Sequence, residues 1–143
     1  MNKKLRKWLS DTFPNIGDLI KIQKFDIGQS NPTFLIECEK KIIVLRTTPK
    51  GSLLRGAHRI DREFKVMSAL KHTKIPVPKV LIFCDSKQII GTEFFVMEFV
   101  DGLKETNPHF IKSNETTRKK VYLQKLNLLV KLAKLDLDKI KLN

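Results

Sequence analysis

Two charged residues, Arg46 and Glu63, sit where apolar side chains are expected. Over residues 41–47 the side chains of Ile42, Val44 and Arg46 recur at every second position. A strand there would place a guanidinium in line with two β-branched apolar groups. Over residues 57–72 a helical period puts Glu63 inside the arc drawn by Ile60, Met67 and Leu70. A lone charge buried in either stripe is strongly disfavoured, and the simplest remedy is that each neutralises the other. Such a pair could be a structural salt bridge, two side chains that snorkel to water, or a device that offers a cation to an anionic ligand.

Two further segments could carry chemistry. Gly28-Gln29-Ser30-Asn31-Pro32-Thr33 joins two expected strands. Gly28 can take positive φ, and the Ser30/Asn31 pair can offer side-chain and backbone donors to phosphate oxygens. Read alone, the segment is a hairpin turn, and it matches neither a Walker A loop nor the dinucleotide fingerprint. Pro49-Lys50-Gly51-Ser52 also has the wrong order for Walker A. The run from Phe94 to Val100 reads as a buried strand that ends at Asp101-Gly102. His58, His72 and His109 show no ligand spacing. His58 falls near the start of the 57–72 helix and His72 near its end, where a cation suits the helix dipole.

The elements that must position these groups follow from periodicity and turn residues. Leu5, Trp8, Leu9 and Phe13 have helical spacing over 3–13, and Pro14 follows. Strands are expected over 19–27, 33–38 and 41–47, with Glu39-Lys40 as a hairpin turn. A loop punctuated by Pro49, Gly51 and Gly56 leads to the 57–72 helix. Ile75-Pro76-Val77-Pro78 must be extended, because proline disfavours helix in the residue before it. Two more strands are expected over 80–84 and 92–100, joined by Asp85-Ser86-Lys87. A long helix over 114–135 carries Tyr122, Leu126, Leu129 and Ala133 on one face. This order gives an α+β chain with an antiparallel five-stranded sheet and helices segregated to one side. The last helix needs another surface to bury its stripe.

The chain has 143 residues, one domain by length, with 28 basic and 15 acidic residues and a net charge of +13. A field of that size attracts nucleic acid, anionic lipid or phosphorylated ligands. Scattered lysines on a solvated surface explain the same number. Cys38 and Cys84 form neither a disulfide framework nor a zinc motif, which fits a reduced, cytoplasmic setting. No apolar run approaches a membrane span, and the basic N-terminus lacks the apolar segment of a secretory signal.

In order, Gly28 to Thr33, Val44-Leu45-Arg46, Ala57 to Glu63, Pro76-Val77-Pro78, Ile90-Gly91-Thr92 and Phe95 to Glu98 resemble the aminoglycoside phosphotransferase family. The most similar branch is the kinase-like domain fused to acyl-CoA dehydrogenases, and the likeness runs from about residue 15 to residue 140. The resemblance implies a protein-kinase-like N-terminal lobe over 1–102, then a linker and the first helix of a C-terminal lobe over 103–143. It implies ATP with Mg2+, with Arg46 as the strand-three cation that holds phosphates and Glu63 as its helix partner. Gly28, Gln29, Ser30 and Asn31 would cover the phosphates. Met97, Glu98, Phe99 and Val100 would be the hinge that reads adenine. The family passes a phosphoryl group to a hydroxyl on a small molecule, and the fused branch suggests hydroxylated acyl acceptors.

Departures from the family matter. Gly56 stands where relatives have a helix-capping Ser, and Ala133 stands at the His of their Leu-His-x-x-Asp. The catalytic His-Gly-Asp loop and the Asp that binds magnesium would lie beyond residue 143. The expectation is therefore the nucleotide-binding portion of a phosphotransferase, truncated before the catalytic loop and inactive alone, its second lobe lost or encoded on a separate chain. A C-lobe partner chain or a homodimer would cover the last helix. A non-catalytic binding module of the same fold is the alternative. A basic nucleic-acid-binding protein is the third reading, disfavoured because one Trp and one Tyr give little aromatic-basic interleaving.

Overall fold

A computed structural model of the chain describes residues 3–25, 31–49, 51, 59–102 and 113–142. The elements in order are α1 (Lys3–Thr12), a 3-10 turn (Pro14–Ile16), β1 (Leu19–Lys24), β2 (Thr33–Cys38), β3 (Ile42–Thr47), α2 (Ile60–Leu70), β4 (Val80–Cys84), α3 (Lys87–Ile90), β5 (Phe94–Glu98) and α4 (Glu115–Ala133). The five strands form one antiparallel sheet in the order β1-β2-β3-β5-β4. The chain divides into two compact units, Met1–Ser68 with Pro78–Phe99 and Ala69–Val77 with Val100–Asn143.

In the first unit, period-2 alternation separates two sheet faces. The pairs Ile36↔Ile43, Leu45↔Val96 and Thr47↔Phe94 line one face. Leu5 and Leu9 of α1, one helical turn apart, are buried in the same cluster as Ile43, Leu45, Phe94 and Val96. The Trp8 ring meets Phe94 edge-on at 4.9 Å and Phe13 at 6.1 Å. On the reverse face lie Phe83 and Phe95, with Phe64 of α2 at 5.4 and 5.8 Å from them. Helices therefore pack on both sides of the sheet, which corrects the expected one-sided segregation. Adjacent residues Phe94 and Phe95 are both completely buried, one toward each helix, so β5 is covered on both faces there.

Local punctuation differs from the sequence reading in two places. A 3-10 turn occupies Pro14–Ile16, and the four-residue helix α3 follows the polar Asp85-Ser86 connection. Gly17 lies at φ 76°, and a Cβ there would come within 2.7 Å of the Glu39 side chain. That close approach lets the Asp18 N–H donate to Glu39 Oε2 at 3.1 Å and the Lys40 N–H donate to the Ile16 carbonyl at 3.0 Å. The turn after α1 is thus fastened to the β2–β3 hairpin.

In the second unit, Thr73 closes the turn after α2. Its hydroxyl donates to the Leu70 carbonyl at 2.7 Å and accepts from the Ile75 N–H at 3.1 Å. Asn114 caps α4 by accepting from the Thr117 N–H at 2.8 Å. Tyr122, Leu123, Leu126, Leu129 and Val130 of α4 are all exposed.

Candidate functional site

The sheet register builds the site. Thr33 of β2 pairs with Arg46 of β3, and Arg46 pairs with Phe95 of β5. Thr33, Arg46 and Phe95 therefore project side by side from the face that α2 covers. Ile60 and Phe64 anchor α2 on that face by burial and ring contact. Glu63 lies between them in sequence and reaches the guanidinium.

The ion pair is side-on. Arg46 Nε donates to Glu63 Oε2 at 2.5 Å and Nη2 donates to Oε1 at 3.3 Å. Asn31 Nδ2 also donates to Oε1, at 2.7 Å. Arg46 Nη1 donates to the Thr33 hydroxyl at 2.7 Å and to the Asn31 carbonyl at 3.2 Å. The Thr33 hydroxyl in turn donates to that carbonyl at 3.2 Å. Four residues from three segments thus form one closed network. Asn31 is buried at 4% exposure, whereas the Arg46 and Glu63 side chains keep 26% and 35%. The network is neutral as a pair yet still reaches solvent through the guanidinium. Chemically, it can present a fixed N–H and a partly screened positive charge to an anion.

Beside it, Arg59 forks onto Asp61 at the start of α2, with Nε 2.8 Å from Oδ1. Hydrogen bonding to Arg59 holds the Asp61 carboxyl down at about 2. This pair is exposed, and Asp61 also suits the positive end of the helix dipole.

The structure brings Arg46, Glu63 and Asn31 together. Gly28, Gln29 and Ser30 lie outside the described residues, as do Gly56, His58 and His109. Asn31 was expected in a loop open to phosphates; its side chain is instead turned onto Glu63. Met97 pairs with Val44 and Val80, on the same sheet face as Arg46. The Glu98 N–H donates to the Lys79 carbonyl at 2.9 Å, and its carboxylate accepts from Lys41 Nζ at 3.3 Å. Phe99 and Val100 follow β5, with exposures of 37% and 63%. The first unit ends at Phe99 and the second resumes at Val100.

Thr33 is the functional candidate the sequence reading missed. Its signal was a β-branched hydroxyl directly opposite Arg46, visible only once the hairpin register is known. Among the described residues, no group of His, Cys, Asp and Glu could hold a metal ion. Both cysteines are buried free thiols, and burial pushes the Cys38 thiol up. No helix of the described residues is long and apolar enough to cross a membrane.

A family model described as "Phosphotransferase enzyme family" matches residues 21–142. Probable acyl-CoA dehydrogenase IBR3 of Arabidopsis thaliana is 42% identical over 135 residues, covering 91% of this chain and 16% of that protein. Acyl-CoA dehydrogenase family member 11 of Rattus norvegicus is 37% identical over 145 residues, covering 99% of this chain and 19% of that protein. The chain therefore spans less than a fifth of the length of either relative. A crystal structure from Ralstonia eutropha JMP134, assigned to the aminoglycoside phosphotransferases, superposes with a TM-score of 0.78 at 28% identity. That match covers 98% of this chain and 40% of the other.

Proposed function

Because the chain belongs to the phosphotransferase enzyme family, we propose that it is the ATP-binding portion of a phosphotransferase that acts on a hydroxyl of a small molecule. The observation that carries this reading is the ion pair of Arg46 and Glu63, braced by Asn31 and Thr33. A cation on the third strand, held by a carboxylate from the next helix, is suited to fix phosphate oxygens of a nucleotide. Glu63 keeps Arg46 from folding away and balances its charge when no phosphate is near. Gly28, Gln29 and Ser30 cover the phosphates, while Asn31 braces the ion pair from within. Met97 to Val100 meet the adenine, and with the Glu98 N–H already given to Lys79, Phe99 and Val100 are the residues whose backbone reads the base edge.

Bound ATP would supply the phosphoryl group. Holding Mg2+ and deprotonating the acceptor need carboxylates that no cluster among the described residues provides; in this reading they come from a C-terminal lobe. The relatives are named as acyl-CoA dehydrogenases, and in this reading the hydroxyl acceptor is a molecule that carries an acyl chain. The exposed apolar residues of α4 are the surface that such a lobe, on this or another polypeptide, would cover. Two free thiols suit a reducing, cytoplasmic compartment.

Thermal denaturation with ATP and Mg2+ tests the reading. The expected result is a rise in melting temperature with ligand concentration, with Arg46→Ala raising the dissociation constant about tenfold or more, as loss of a hydrogen bond to a charged group implies. A melting temperature indifferent to ATP would favour a non-catalytic module of the same fold.

A further inference from the structure

Arginine carries five N–H donors. In Arg46 the Nε N–H and one Nη2 N–H go to the two oxygens of Glu63, and the two Nη1 N–H groups go to the Asn31 carbonyl and the Thr33 hydroxyl. Among the described residues, one N–H on Nη2 is left without an acceptor. A free guanidinium takes phosphate as a two-pronged fork, but here Glu63 fills the side edge and Nη1 is saturated. We infer that Asn31 and Thr33 are positioning residues that reduce Arg46 to a single-point phosphate donor and hold that one N–H in a fixed direction. The inference rests on the nucleotide-binding reading above.

Each residue has a distinct part. Thr33 sits across the ladder from Arg46 and accepts from Nη1 at 2.7 Å, so the strand pairing itself aims the guanidinium. Asn31 grips both members of the pair, its amide on Glu63 and its carbonyl on Arg46. It also leads into β2 from the segment assigned to cover the phosphates. A shift of α2 that pulls on Glu63 is thereby resisted from the β2 side as well. It follows that lysine at position 46 would keep the charge and a phosphate contact but lose the aim, since an ammonium cannot engage Glu63, Asn31 and Thr33 in this planar arrangement.

The test uses the whole chain and three forms of residue 33. Thr33→Val keeps the β-branched shape and removes the acceptor, whereas Thr33→Ser restores it. Calorimetric titration would measure ATP binding, with adenosine measured by displacement and melting recorded without ligand. Expected is an approximately fivefold to tenfold weaker ATP affinity in Thr33→Val, an unchanged adenosine affinity, and recovery in Thr33→Ser. Both ligands report the same folded population, so their affinity ratio is independent of any loss of stability. Thr33→Val binding ATP like the wild type, or ATP and adenosine weakening by the same factor, would overturn the positioning role and leave the nucleotide reading standing. A wild-type chain that binds no ATP would overturn both.

Discussion

At the scale of residues, the Arg46–Glu63 contact was legible because two independent periods each put a charge into an apolar stripe. Period 2 marked Arg46 among Ile42 and Val44, and period 3.6 marked Glu63 among Ile60, Met67 and Leu70. Pairing the two was the simplest way to relieve both. The roles of Asn31 and Thr33 were hidden, because they depend on which β2 residue stands opposite Arg46. The engagement of the Glu98 N–H by Lys79 was hidden too, since the β4–β5 ladder carries a register shift between Val80 and Ile82. Glu63 itself gives a sharp prediction. Glu63→Gln keeps an acceptor for Arg46 but removes the compensating charge, whereas Glu63→Ala leaves the guanidinium without its anchor. ATP affinity should fall in the order wild type, Gln, Ala, the last by about tenfold or more, as charged hydrogen-bond losses imply. Titration calorimetry on the three proteins checks the order.

Among the elements, all five strands and the helices α1, α2 and α4 followed from apolar spacing and turn residues. Their placement was less visible. A strand with apolar residues at consecutive positions, such as Phe94-Phe95-Val96, signals burial on both faces, yet it does not say which helix covers which face. The structure assigns α1 to the Phe94 side and α2 to the Phe95 side. Because Leu9 is only 2% exposed in the α1 layer, Leu9→Ala should destabilise the chain by about 2–5 kcal/mol. Denaturant unfolding at constant m-value measures it, and a loss below about 1 kcal/mol would mean that α1 is not part of the core. The start of α2 has an acid signature. Asp61 holds its proton less tightly when folded, so its contribution is complete above the ordinary value of 3.8 and is lost as pH falls toward about 2. The pair is exposed, so the effect is small. Asp61→Asn should flatten the acid limb of the melting curve in that window and leave the neutral plateau nearly unchanged.

For the whole molecule, the net charge of +13 and the apolar surface of α4 both point outward. Tyr122, Leu123, Leu126, Leu129 and Val130 fall within an arc of about 120° on one side of the helix, an exposed apolar stripe that calls for a covering surface. Leu126→Glu with Leu129→Glu should therefore raise the soluble, monomeric fraction in analytical ultracentrifugation without altering ATP affinity. What this surface meets was not legible in the sequence, because periodicity marks an apolar face and carries no record of its partner. The family assignment rests on the match over residues 21–142; the proposed nucleotide role rests on the network of Arg46, Glu63, Asn31 and Thr33. Phosphorus NMR of ATP with Mg2+, titrated with the wild-type chain and with Arg46→Ala, reads that contact at the phosphates. The account predicts broadening and shift of the α- and β-phosphate resonances with the wild type and their loss in the variant. Resonances untouched by the wild type, or perturbed equally by both proteins, would contradict it.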